Sequence, residues 1–233
     1  MKMNIRYKLT KQDLTTYANT KWVLNEWKET SGTGKLCTEG WLHCYTSPLL
    51  AILLNPIHAN ITNPKLFKCE VEGKCLEDNG LKEGWTRMRI IEEIEIPQLS
   101  LVQKLSFAIL CVLEVYKDEK WIEWANNWLN GKDRSKEFAN AANAAAVNAA
   151  AANAAADAAD AADAANAYAN ADYYAAAAAT YATYAANYAA AAADSAAYAA
   201  SDAAYYAAAA ATYATYAANI DLIKLAKKAM KIK

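Results

Sequence analysis

The chain has 233 residues, 55% of them hydrophobic, with 24 Lys/Arg against 25 Asp/Glu and a formal net charge of −1. That balance gives no dense basic patch for neutralising phosphates, so nucleic-acid binding is not expected. Five cysteines is an odd number, and Cys111 sits inside an apolar run, which suits a reducing cytoplasm better than a disulfide framework. The pooled averages hide two unlike parts. Residues 1–138 carry 19 Lys/Arg and 18 Asp/Glu; from Ala139 to Asn219 there is no Lys or Arg and only six Asp; the last fourteen residues hold five Lys against Asp221. All seven glycines and all four prolines lie at or before Gly131. The reading is therefore a compact α+β domain over 1–131, followed by an Ala-rich all-α region over 132–233.

In chain order, Asn4–Leu9 alternates as a strand, and Lys21–Lys28, with Trp22 and Trp27, reads as another. Ser31-Gly32-Thr33-Gly34 is a turn. Gly40–Tyr45 enters as an aromatic strand, and Pro48 suits the first turn of a short helix through Leu54. Leu66–Val71 and Thr86–Ile96 read as strands, the second closed by Pro97. Ser100 caps an apolar helix from Leu101 to about Lys117. A further helix spans Glu119–Asn130, with Trp121, Trp124 and Trp128 on one face as a seam that packs onto the core.

From Ala139 to Asn219, 49 of 81 residues are Ala, the best helix former. Alanine buries little area, so the tyrosines must supply the reason for helices to associate. Tyr174–Asn187 and Tyr206–Asn219 carry the same fourteen letters, YAAAAATYATYAAN. Tyr174, Tyr181, Tyr184 and Tyr188 fall on a heptad seam, as do Tyr206, Tyr213 and Tyr216, with Ile220 and Ile223 extending the phase. Their hydroxyls must reach water or a partner, so the seam is not wholly dry. One unbroken helix from Ser135 would run about 150 Å. At least one reversal is expected, first at Asn166–Asp172, next at Asp194-Ser195 or Ser201-Asp202. A helical hairpin or bundle within the chain and a coiled coil between chains both satisfy the pattern.

Chemistry is sparse. Gly32-Thr33-Gly34-Lys35 fails as a phosphate loop, because Glu29 stands where the leading glycine belongs and Leu36 follows the lysine. Cys37, His43, Cys44, Cys69 and Cys75 lack the short Cys-x₂₋₄-Cys spacing of structural zinc and read as free thiols, so no metal or cofactor is expected. His43 could serve a Cys/His pair, but no orienting group accompanies it and no catalytic residue is assigned. Candidate ligand-binding residues are Trp22, Trp27, Trp41, His43, Tyr45, Arg87 and Arg89, which offer aromatic faces and cations. The start, Met1–Arg6, has no apolar h-region, and Leu101–Tyr116 is too short to span a bilayer, so a soluble cytoplasmic protein is expected.

Leu36-Cys37-Thr38-Glu39-Gly40-Trp41-Leu42-His43-Cys44-Tyr45, Pro48-Leu49-Leu50-Ala51, Asn55-Pro56-Ile57-His58-Ala59 and Trp124–Ser135 resemble an uncharacterised family from bacteriophages and prophages. A weaker likeness is to putative bacterial immunity proteins. The resemblance implies an accessory protein of a mobile element in a bacterial host cell. The expected function is non-catalytic counter-defence, by binding a host protein or sequestering a small nucleotide-derived signal, with homo-oligomer formation. The alternatives are a structural or assembly protein using the helical region as a scaffold, and an enzyme acting on a nucleotide.

Overall fold

A computed structural model describes residues 4–135, 137, 139–144, 165–191 and 196–233. Strands and helices are both present, an α+β content. The chain divides into two compact units, Met1–Gln98 and Leu99–Lys233.

The first unit is built on a five-stranded antiparallel sheet: β1 (Ile5–Thr10), β2 (Lys28–Glu29), β3 (Leu42–Cys44), β4 (Lys65–Asp78) and β5 (Lys82–Ile94). β4 and β5 form a long hairpin turned by Asn79-Gly80, both at positive φ, and closed by the Leu81 N–H donating to the Asp78 carbonyl at 2.7 Å. Asn-Gly is the strongest short hairpin signal, because both central positions need the left-handed region. Gly73 (φ +87) sits where the register shifts between Glu72 and Cys75, which bends β4. β1 pairs with β4, while β2 and β3 pair with β5. Tyr7 and Tyr45 exchange backbone hydrogen bonds of 2.9 and 2.8 Å, which tie β1 to the chain just after β3. The bent sheet thus curls until its two edges meet. Inside lie Trp22, Leu42, Cys44, Phe67, Cys69, Val71, Met88 and Ile90. Helix α1 (Pro48–Leu54) is capped by Ser47 and buries Leu50, Ala51, Leu53 and Leu54.

The strand expected over Lys21–Lys28 is reduced to Lys28–Glu29. Asn25 takes φ 65° and the Glu26 N–H turns back to the Val23 carbonyl, so the segment is a loop pinned by the buried Trp22 ring. Indole burial, rather than strand pairing, satisfies its apolar pattern.

In the second unit, α2 (Leu101–Val115) starts on a reciprocal capping box between Ser100 and Gln103 and is apolar on nearly every side. Such a helix must be surrounded. It packs against α3 (Glu119–Leu129), two tyrosine-bearing helices (Ala165–Ala191 and Ala196–Ala217) and a lysine-rich helix (Leu222–Ala229). That packing is why the units divide at Gln98/Leu99 and not at Gly131. α3 is capped by Asp118 and buries Trp121, Trp124 and Trp128, as its periodicity predicts. The reversal expected at Asn166–Asp172 is absent, since helix runs through Ala165–Ala191; the alternative at Asp194-Ser195 lies outside the described residues. The other alternative, Ser201-Asp202, falls inside the helix Ala196–Ala217.

The two tyrosine helices run antiparallel in the same chain, and their fourteen-residue repeats face each other about a local two-fold. At its centre Tyr181 stacks on Tyr213 with centroids 5.0 Å apart and planes at 15°. On either side, Tyr174–Tyr216 and Tyr184–Tyr206 have the same geometry, 5.6 Å and 64°. Tyr188 adds a stack on Tyr206 at 5.3 Å. The fully buried residues are alanines such as Ala176, Ala182, Ala185, Ala210, Ala211 and Ala214, whereas Tyr184, Tyr188 and Tyr216 are exposed. The rings shelter on one another at the margin of the helix pair, and the small residues bring the axes together. The heptad does not continue through Ile220 and Ile223. The chain leaves the helix after Ala217, and Asp221 caps a new one whose buried face is Leu222, Leu225, Ala226 and Ala229. A double-mutant cycle on Tyr181→Ala and Tyr213→Ala is expected to give a coupling of about 0.5–1.5 kcal/mol. Additive losses in thermal unfolding would contradict the stack.

Candidate functional site

The β4–β5 register sets the chemistry of the first unit. Because side chains alternate across a strand, Cys69 and Val71 face Ile90 and Met88 in the core, while Glu70 and Glu72 face Arg89 and Arg87 on the other side. Arg89 meets Glu70 at 2.5 Å; Arg87 meets Glu72, and its Nε lies 2.9 Å from Glu29 Oε1 without the alignment of a hydrogen bond. Lys68–Glu92 (2.7 Å) and Lys65–Glu93 (3.0 Å) extend the row of ion pairs. Trp27 lies over both guanidinium groups, 4.2 Å from Arg87 and 4.7 Å from Arg89. Of the candidate ligand-binding residues, these three come together.

The others are distributed through the core. Trp22 is 1% exposed; its Nε1 donates to Thr16 and its ring lies 4.5 Å from the Lys8 ammonium. Lys8 is itself buried, donating to the His43 carbonyl at 2.7 Å, and desolvation lowers its pKa. Trp41 is buried and donates to the Gly34 carbonyl at 3.1 Å. Tyr45 is buried and stacks on His58 with centroids 6.0 Å apart. These three rings hold the fold and offer no free face.

His43 donates through Nε2 to the Leu36 carbonyl, and burial lowers its pKa. His58 is lowered to about 4, chiefly by burial, then by Lys82 and His43. The two histidines therefore share one neighbourhood with Lys82, whose ammonium donates to Cys37 Sγ at 3.2 Å. The sequence reads Cys37 as a free thiol and gives it no partner, and it does not single out Lys82. A second polar cluster, Arg6, Glu83 and Trp85, is bound bidentately: Arg6 Nε and Nη2 to Glu83 at 2.6 and 3.1 Å, and Trp85 Nε1 to Glu83 at 2.6 Å.

Cys44 is pushed well up by burial and by the neighbouring Cys69 thiol, so Cys44 does not behave as a thiolate ligand at neutral pH. Among the described residues no three His, Cys, Asp or Glu side chains cluster closely enough to hold a metal ion. No helix among them is long and apolar enough to cross a membrane.

A further surface lies in the loop 11–27, which sequence reasoning took partly as strand. Tyr17 is 81% exposed, Val23 43% and Leu24 47%. Leu14, Ala18, Asn19 and Asn25 all stand at positive φ. The loop is nevertheless well tied: Lys11 to Thr15, Thr16 to Thr20, Trp22 to Leu14 and Asn25 to Ile90 through backbone hydrogen bonds of 2.8–3.0 Å.

Comparison with known proteins places a boundary on this module. Residues 4–102 match the model of a domain of unknown function, DUF7666. That span is nearly the first compact unit, Met1–Gln98. No curated protein and no solved structure matches the chain.

Proposed function

We propose that this is a non-catalytic binding protein, an accessory of a mobile element that acts in a bacterial host cell by gripping a host protein. The observation that carries the reading is the loop 11–27. A residue other than Gly, Asn or Asp in the left-handed region costs about 1–2 kcal/mol; Leu14 and Ala18 bear that cost here, and Asn19 and Asn25, which tolerate the region better, join them within twelve residues. Buried Trp22 and the backbone hydrogen bonds hold that strained conformation, so Tyr17, Val23 and Leu24 are presented to water on a preorganised frame. Preorganisation reduces the entropy lost on binding, which suits a recognition surface.

Between a host protein and a nucleotide-derived signal, charge favours the protein. Arg87 and Arg89 are matched by three carboxylates, Glu29, Glu70 and Glu72. A phosphate approaching Trp27 would have to displace them. In this reading the Ala-rich region 132–233 as a whole is a helical scaffold, and homo-oligomer formation through it is a separate expectation.

The test uses full-length protein and the triple substitution Tyr17→Ser, Val23→Ser, Leu24→Ser as baits in host extract, with native mass spectrometry of both. The wild type should retain a host protein that the triple variant loses while melting at the same temperature. Identical retention by both, or a co-purifying nucleotide in place of a protein, would defeat the proposal.

A further inference from the structure

Cys37 and Lys82 are 45 residues apart in sequence, yet the lysine nitrogen lies 3.2 Å from the thiol sulfur. Cys37 is exposed, whereas the Lys82 side chain is only 14% exposed and its nitrogen stands farther, 4.0 Å, from the Asp78 carboxylate. The amine is thus confined against an oxidant-accessible sulfur. Its position is imposed by the hairpin turn, because Lys82 opens β5 opposite Asp78. The cysteine is placed by the loop before β3, where the Thr38 hydroxyl and N–H bond the Lys35 carbonyl and His43 holds the Leu36 carbonyl. Both groups are therefore set by backbone on either side.

We propose that Cys37 and Lys82 are an oxidative cross-linking site, joined under peroxide by a single oxygen between sulfur and nitrogen. A separation of 3.2 Å is too long for a direct sulfur–nitrogen bond but suits one intervening atom. The chemistry balances with two molecules of hydrogen peroxide. The first oxidises the thiol to sulfenic acid and leaves as water. Lys82 releases its ammonium proton to solvent. The second peroxide then removes two electrons as the sulfenic oxygen bonds to the amine nitrogen, with one hydrogen lost from each group and two waters formed. The product, S–O–NH, has gained one oxygen and lost two hydrogens relative to the free pair. A thiol reductant returns thiol and amine. The link fastens the loop over 35–40 to the start of β5, so it acts as a reversible latch on the segment that contacts His43.

Cys75 is the internal control. It is also exposed, but among the described residues its sulfur's hydrogen-bond partner is the Leu76 carbonyl, at 3.5 Å, and not a lysine. Intact-mass and peptide mapping of the full chain, before and after peroxide, reads the outcome. Expected is one linked peptide pair containing Cys37 and Lys82 with that mass change, removed by reductant and absent in both Cys37→Ser and Lys82→Arg. Cys75 should acquire only oxygen. A higher melting temperature in the oxidised wild type, unmatched in Lys82→Arg, would be the accompanying readout. Oxygen addition at Cys37 without a linked lysine overturns the proposal. So does a linked species that persists in Lys82→Arg, or a link lacking the added oxygen.

Discussion

Trp22→Ala is expected to destabilise the first unit by about 3–5 kcal/mol, the largest single-residue effect foreseen here. The ring is 1% exposed at the centre of the curled sheet, and its removal leaves a cavity. It also strips the Lys8 ammonium of the aromatic face 4.5 Å away, leaving the His43 carbonyl as its hydrogen-bond acceptor. Lys8→Met should behave oppositely, leaving stability unchanged or raising it by about 0–2 kcal/mol, because a desolvated cation is exchanged for an apolar side chain of similar length. The same burial has a pH signature. Desolvation lowers the folded-state pKa of Lys8, so the unfolded chain binds the extra proton between that value and 10.5, and stability rises with pH across that window. Urea unfolding of the three proteins checks this; a Lys8→Met variant as damaged as Trp22→Ala would mean that the ammonium holds the core.

Acidification should weaken the first unit before its carboxylates titrate. His58 has its pKa lowered from 6.5 to about 4, first by burial, then by Lys82 and His43. In the unfolded chain it accepts a proton near 6.5; in the folded chain it resists. Stability therefore falls as pH drops below 6.5 and levels off near 4, with a loss of about 3 kcal/mol over the full range. His43, also lowered by burial, adds in the same direction. His58→Phe keeps a ring on Tyr45 and removes the titration. Its urea midpoint should change much less than the wild type's between pH 7 and 5. An equal slope in both proteins would assign the acid sensitivity elsewhere.

How much of this was legible beforehand depends on the range of the interaction. Caps and breakers act over a few residues, so Ser47-Pro48, Ser100 and Asp118 each mark a helix start where the sequence places it. Asn79-Gly80 carries an equally local message, a hairpin turn to which both flanking strands extend. The Lys21–Lys28 segment misleads because alternation of large rings serves either a paired strand or a loop anchored by one buried indole. Only the neighbours decide which.

From the residues alone came the seven-residue return of tyrosine and the buried tryptophan face of α3. These follow from propensity and periodicity, which belong to the chain itself. The tertiary structure alone assigned α2 to the helical unit, since a helix apolar on every side carries no label for its partner. It alone paired Arg87 and Arg89 with Glu72 and Glu70, set Lys82 against Cys37, and turned the repeated tyrosines onto one another within a single chain. Each of those depends on strand register or helix direction, and contacts between distant residues are decided by which burial of the whole is most favourable.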